Sequence, residues 1–304
     1  MPLSIFGFQA LWSPVFIIST IFVIALYFFI TIKKRHLFQG NEPLSIKEAS
    51  AFVIAILLLY VVKGSPADLL GHILFSVHMA QMALLLMLVP PLLIAGIPVW
   101  IWKPLIENRF INPMFRFFTK PLLALIVFSG WFSIYHIPLV FDFIKQNEWY
   151  HILFTLLLFI SSIFLWWPIM NKLHGEHQVH GLSKIGYIIG SAILITPACA
   201  LIIFASHPMY ATYTSGDAWL KAMELCVPNS KLAGLTLSGP ELFSSMSTIE
   251  DQRLGGVIMK IIQEIIYGVL LAMVFFQWYK SEQENADEIT NNALLERQAY
   301  AANK

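Results

Sequence analysis

Residues 71–98, GHILFSVHMAQMALLLMLVPPLLIAGIP, constrain the fold of this chain more than any other stretch. The run is mostly apolar and exceeds the roughly 20 residues that a transmembrane helix needs. Its first half nevertheless contains His72, His78 and Met82, and the last two are four positions apart, on one face of a helix. Imidazole in a hydrocarbon setting needs a partner, and imidazole with thioether suits Cu(I). The stretch therefore predicts a membrane helix whose first turns carry candidate copper ligands.

The overall composition points to the same class of protein. Of the 304 residues, 58% are hydrophobic and 12% are charged, which predicts an all-α polytopic membrane protein. The net charge of +1 gives no reason to expect nucleic acid as a partner. Cys199 and Cys226 lack the spacing of a disulfide framework or a zinc ribbon, although each thiol is a soft potential ligand. Because no phosphate-binding loop, dinucleotide fingerprint, HExxH or nucleophile elbow occurs, we expect no enzymatic activity.

The apolar runs predict a bundle of seven transmembrane helices, residues 1–278, followed by a polar cytoplasmic tail, residues 279–304. The predicted spans cover about 11–31, 46–62, 69–98, 121–136, 149–170, 185–205 and 254–278. Lys33, Lys34 and Arg35 follow the first span, and most other basic residues fall on the same predicted side. Cytoplasmic loops are enriched in Lys and Arg, so we predict an outside N-terminus and a cytoplasmic C-terminus.

This topology brings histidines from four spans to one predicted depth, near the outer surface. They are His72, His78, His136, His151 and His207. Two interpretations remain open at this stage, because a membrane histidine can bind metal or simply form hydrogen bonds between helices. Methionine likewise packs well in helical bundles without binding anything. The favoured candidate metal ligands are His78, Met82, His136 and His151, and His72 is a further candidate.

Two further polar segments are predicted to be solvated loops. The segment 138–148 contains Asp142 and Lys145, and we expect Asp142 to be a solvated carboxylate. The second segment, predicted to be cytoplasmic, carries three histidines at intervals of three. They are His174, His177 and His180.

Six motifs in order give the chain a recognisable pattern. They are HILFSVHMAQM, PPLLIAGIP, WFSIYHIPLVFD, EWYH, LWWPIM and DQRLGGVIM. Together they extend over about residues 68–259, and in this order they resemble the Bacillus-type CtaG family of cytochrome c oxidase assembly factors. Each motif alone is weak, whereas the ordered set is fairly specific.

The resemblance implies a multi-pass protein of the bacterial plasma membrane that takes part in respiratory chain biogenesis. Its implied task is assembly of a caa-type haem-copper oxidase, by helping to form the copper centre beside haem in the large subunit. The implied cargo is copper, bound transiently as Cu(I). The implied partners are the oxidase large subunit, a copper donor protein and membrane lipid.

Family positions carried over by motif are His78, His136 and His151, together with Asp251 and Gln252 at the start of the last span. One departure concerns Met82, where family members often have a second histidine. Three alternatives to a copper-handling assembly factor remain: a scaffold for the nascent oxidase that binds no metal, a haem-binding membrane cytochrome, and a copper transporter. The inner half of the predicted bundle offers few ligands, which ranks the transporter below the assembly factor.

Overall fold

The computed structural model describes residues 1–38, 42–170, 173, 178–214, 216–232 and 237–302, and this part of the chain contains helices and no β-strand. The α-helices are α1 (Phe8–Trp12), α2 (Pro14–Phe28), α3 (Ile46–Gly64), α4 (Pro66–Ile73), α5 (Phe75–Ala83), α6 (Val89–Gly96), α7 (Val99–Ile106), α8 (Ile111–Phe118), α9 (Pro121–Tyr135), α10 (Pro138–Lys145), α11 (Glu148–Met170), α12 (Gly181–Ile203), α13 (Gly216–Met223), α14 (Asn229–Leu232) and α15 (Thr248–Ala302). Two π-helical turns, Phe29–Lys33 and Leu84–Leu88, extend α2 and join α5 to α6. The predicted all-α class is confirmed.

Five of the described helical segments are long and apolar enough to cross a membrane. They are Phe8–Lys33, Phe75–Gly96, Glu148–Met170, Gly181–Ile203 and Thr248–Ala286. Two bent pairs raise the number to as many as seven if each pair forms one span: α3 with α4, bent by 47°, and α8 with α9, bent by 84°. The structure therefore supports a membrane protein with five to seven spans, while the count of seven and the orientation stay predictions.

A break within the predicted third span, 69–98, separates its two histidines. Leu74 has the extended backbone angles φ −118° and ψ 130°, and it ends α4 immediately before α5 begins. His72 therefore lies on α4, the continuation of α3 beyond Ser65, whereas His78 lies on α5. The two imidazoles do not share one continuous helix.

The π-helical turn in the middle of this region follows from its prolines. Pro90 has no amide hydrogen, so it cannot donate to the carbonyl of Leu86 four residues earlier. The indole Nε1 of Trp166 on α11 donates to that carbonyl at 3.0 Å instead. In a membrane helix, a carbonyl that has lost its usual backbone donor needs another hydrogen-bond donor. This bond fixes α11 against the junction of α5 and α6.

Close packing of α15 on α5 and α12 carries polar residues into the core. A Cβ added to Gly255 would lie 2.8 Å from Phe75 Cδ1, and one added to Gly256 would lie 2.7 Å from Ile203 Cγ1. Glycine at these two positions lets the backbones approach. The first turn of α15 consequently reaches the start of α5.

Helix α15 is longer than any bilayer requires. Its 55 residues measure about 82 Å at 1.5 Å per residue, against a hydrocarbon core of roughly 30 Å. The segment predicted as a polar tail is helical as far as Ala302. Of the predicted histidine loop, His174 and His177 lie outside the described residues, and His180 is exposed just before α12.

Candidate functional site

The break between α4 and α5 is held by a side chain from α15. The buried carboxylate of Asp251 accepts from Phe75 N at 2.7 Å and from Ser76 N at 3.3 Å, and the Ser76 hydroxyl also donates to it. An acidic group at a helix N-terminus satisfies free amides and favours the helix dipole. The neighbouring Gln252 accepts from Met209 N at 2.8 Å. Both positions singled out by the resemblance thus bind backbone amides of other segments.

On one side of the break lies a group that we call the polar cluster: Asp68, His72, Lys145, His151 and Cys226. The rings of His72 on α4 and His151 on α11 meet edge to face with their centroids 5.6 Å apart. Lys145 Nζ of α10 is 3.3 Å from His72 Nδ1. Three helices therefore bring two imidazoles and an amine together.

Asp68 and Cys226 complete the polar cluster beside His72. The Cys226 thiol donates to Asp68 Oδ2 at 3.7 Å, and one ligand atom from each of Asp68, His72 and Cys226 lies within 4.8 Å of the others. Metal–ligand bonds of 2.0–2.3 Å require donor atoms about 3.3–4 Å apart. A small inward movement of these side chains would therefore bring their donor atoms within reach of one ion.

A cavity of about 390 Å³ adjoins the polar cluster. All its members except Lys145 line the cavity, with Lys63 and apolar side chains of α3 and α11. Ile152 and Leu156 also line it, and each is 51% exposed, so the cavity reaches the surface of the protein. Its volume lies in the usual range of small-ligand sites. The cavity thus opens beside the cluster at the protein surface of α11, although the two histidines are buried.

Burial changes the acid–base chemistry of Lys145. It is 1% exposed, and desolvation, together with the nearby positive charge of Lys63, lowers the pKa of its amine to about 7. Asp68 opposes that shift and also pairs with Lys63 at 3.5 Å. Burial first, and the Asp68 carboxylate second, raise the pKa of the Cys226 thiol. Without a bound cation, the cluster therefore keeps the Cys226 thiol protonated and makes the Lys145 ammonium easier to deprotonate.

The expectation that 138–148 forms a solvated loop is wrong. Its first eight residues form α10, which buries Lys145. Asp142 accepts from Ala211 N at 2.9 Å, from Thr212 N at 3.0 Å and from the Thr212 hydroxyl at 2.8 Å. The carboxylate caps the short 3₁₀ turn Ala211–Tyr213 rather than facing water alone. Sequence alone did not reveal which distant amides it binds.

On the other side of the break lies the aromatic cluster: His78, Tyr135, His136, Phe132 and Phe141. The Tyr135 hydroxyl is 3.4 Å from His78 Nε2, and the centroid of the Tyr135 ring is 6.2 Å from that of His78 and 5.2 Å from that of His136. His136 Nδ1 donates to the Phe132 carbonyl at 2.7 Å, whereas its Nε2 is buried without a partner. Aromatic rings surround these histidines, in contrast to the charged groups of the polar cluster.

The loop between α12 and α13 covers both clusters. Tyr210 donates its hydroxyl to the carbonyl of His136 at 2.8 Å, and Tyr213 donates to the carbonyl of Gly71 at 2.6 Å. Both tyrosines are buried. One bond holds the backbone of His136, and the other holds the backbone of Gly71, next to His72. The position of the loop is therefore linked to the positions of both histidines.

The structure divides the predicted metal residues into two sets. His72 and His151 belong to the polar cluster, His78 and His136 belong to the aromatic cluster, and Met82 is buried in the apolar core. Sequence reasoning missed Asp68 and Lys145 and treated Cys226 only as a soft thiol. Asp68 precedes His72 by four residues, a spacing that places both on one helix face and was a usable signal. Nothing comparable in the sequence pointed to Lys145.

Comparison with known proteins adds one finding. A family model described as cytochrome c oxidase caa3 assembly factor matches residues 25–281, which is most of the chain. No curated protein and no solved structure matches the sequence or the fold. The matched range includes every residue of both clusters as well as Asp251 and Gln252.

Proposed function

The chain belongs to the family of cytochrome c oxidase caa3 assembly factors, and from this premise we propose that it carries copper to the nascent oxidase. The copper is cargo for the centre beside haem in the large subunit, and it is bound transiently as Cu(I). The protein acts in the bacterial plasma membrane with its N-terminus outside, receives copper from a donor protein and catalyses no reaction of its own.

The observation that carries this proposal is the pairing of His72 with His151 beside a thiol. Two imidazoles from different helices, 5.6 Å apart between ring centroids, adjoin Cys226 and a cavity that reaches the surface. Imidazole and thiolate suit Cu(I), which is a soft ion. Ligands on separate helices can part without unfolding either helix, which favours release of a cargo.

The remaining predicted ligands form a proposed second position. His78 and His136 both lie close to the ring of Tyr135, and the buried Nε2 of His136 has no hydrogen-bond partner among the described residues. An unsatisfied nitrogen in a buried place has a free energy cost unless something binds it. We include Met82, one turn from His78 on α5, in this second position as a thioether donor.

The test is complementation of a strain that lacks this protein. Oxidase activity and the copper-to-haem ratio of purified caa-type oxidase are measured after adding back the native chain or the double variant His72→Ala, His151→Ala. His207→Ala is the matched control, because His207 is exposed, belongs to neither cluster and is bonded to its neighbour Ser206. We expect normal oxidase copper with the native chain and the control, and at least a fivefold lower ratio with the double variant.

Two outcomes contradict the copper role and identify its rivals. Normal oxidase copper with the double variant, combined with lost assembly on deletion, favours a scaffold that binds no metal. A visible haem spectrum in the purified native chain, abolished by His72→Ala, favours the cytochrome. The complementation readout and the absorption spectrum together therefore separate the three candidates.

A further inference from the structure

We propose that the Cys226 thiolate binds the Cu(I) cargo together with His72, and that Asp68 accepts the proton that the thiol loses. The identity of the metal rests on the function proposed above, whereas the assignment of the ligands rests on the geometry of the polar cluster. Cys226 lies after α13, in the segment that joins α12 to α15, so the site couples this segment to α4.

The first step of the argument is distance. Ligand atoms of Cys226 and His72 lie within 4.8 Å of each other, and the His151 ring is next to His72. Thiolate with one or two imidazoles is a donor set that selects soft ions such as Cu(I). The carboxylate of Asp68 is a hard donor, so in a Cu(I) site its place is beside the thiol rather than on the metal.

The second step is the fate of the proton. Cys226 already donates to Asp68 Oδ2 at 3.7 Å, and Lys63 pairs with the same carboxylate at 3.5 Å. When Cu(I) binds, the S–H bond breaks, the Cu–S bond forms and the proton moves to Asp68 Oδ2. Copper stays in the +1 state, so the step needs no oxidant or reductant. Metal binding to a thiol generally releases its proton.

The third step concerns the state of the thiol. Cys226 and Cys199 are both free. Cys199 is 1% exposed on α12, within the apolar core. Cys226 is partly exposed and lines the cavity. The chain therefore holds one thiol placed for metal exchange and one matched thiol that is not.

The experiment measures Cu(I) affinity and thiol protection in the full chain, purified in mild detergent under reducing conditions. Affinity is obtained by competition with a Cu(I) chelator for the native chain, Cys226→Ser and the control Cys199→Ser. We expect Cys226→Ser to weaken binding at least tenfold and Cys199→Ser to change it less than twofold. Unchanged affinity in Cys226→Ser overturns the assignment.

Thiol protection gives a readout that does not depend on substituting Cys226. In the Cys199→Ser chain, the rate at which N-ethylmaleimide alkylates the single thiol is compared with and without one equivalent of Cu(I). We expect at least a tenfold slower reaction with Cu(I), lost again in the Cys199→Ser, His72→Ala chain. Equal rates with and without Cu(I) overturn the assignment even if Cys226→Ser fails to fold.

The role of Asp68 and the proposed copper-delivery function are tested by separate measurements. Asp68→Asn leaves Cys226 in place as a ligand. We expect it to slow Cu(I) binding, because the amide cannot accept the proton of the thiol. A rate equal to that of the native chain overturns the proton step. If copper binds through Cys226 but deletion of the protein leaves oxidase copper normal, the proposed function fails and the site stands. If deletion abolishes oxidase copper but Cys226 is dispensable, the site fails and the function stands.

Discussion

The polar and aromatic clusters contain the same kind of residue in different surroundings. His72 and His78 are six positions apart, yet His72 faces an amine, a carboxylate and a thiol beside an open cavity, whereas His78 is enclosed by Phe75, Tyr135 and Phe141. The difference originates in the break at Leu74 and in the carboxylate of Asp251 that holds it. A backbone feature, more than the histidines themselves, decides which imidazole is available to an ion.

The largest expected difference is in copper affinity. His72→Ala removes a proposed ligand and should weaken the first Cu(I) equivalent more than about 100-fold, since even partners of metal ligands contribute about 10- to 100-fold. His78→Ala should change that affinity less than about threefold. Competition titration with a Cu(I) chelator measures both, and a larger loss for His78→Ala reverses the assignment of the two clusters.

The break itself supplies the next prediction. Asp251→Ala leaves the Phe75 and Ser76 amides without their acceptor, and unsatisfied buried groups of this kind cost about 1–3 kcal/mol each. We expect a clear drop in the melting temperature in detergent and loss of copper binding. Glu250→Ala is the matched control, because Glu250 is on the same turn of α15 but bonds only to the nearby exposed Ser247. Equal melting temperatures for the two variants contradict the role given to Asp251.

The same break marks the limit of prediction from sequence. Apolar length was sufficient to predict an all-helical membrane protein, because a chain in lipid must satisfy its backbone hydrogen bonds internally. It was not sufficient to place the end of α4 at Leu74, since the acceptor that stabilises this end lies 177 positions away on α15. Histidine content indicated metal chemistry, but the companions of His72 come from α10 and the loop before α15.

Lys145 distinguishes the two clusters further, because its amine contacts an imidazole of the polar cluster directly. As an ammonium group, Lys145 donates to His72 Nδ1 at 3.3 Å and would repel the proposed metal ion beside this imidazole. Lys145→Met keeps the apolar stem and removes the charge, so Cu(I) affinity should rise about tenfold, which is ~1.4 kcal/mol. Lys221→Met, at an exposed position of α13, is the control. A fall in affinity with Lys145→Met indicates that the amine instead stabilises the ligand geometry.

The smallest expected effect tests whether the two clusters act independently. Tyr135→Phe removes a long hydrogen bond of 3.4 Å to His78, a loss of about 0.5–1.5 kcal/mol in stability. Copper affinity at the polar cluster should stay within twofold, because within the described part of the chain Tyr135 has hydrogen-bond and ring contacts with members of the aromatic cluster and none with the polar cluster. Tyr210→Phe, which removes a bond of 2.8 Å to the His136 carbonyl, provides a comparison in the same region. A tenfold change with Tyr135→Phe and none with Tyr210→Phe means that the His78 side chain is energetically coupled to the polar cluster across the break, and the two must then be treated as one path for the ion.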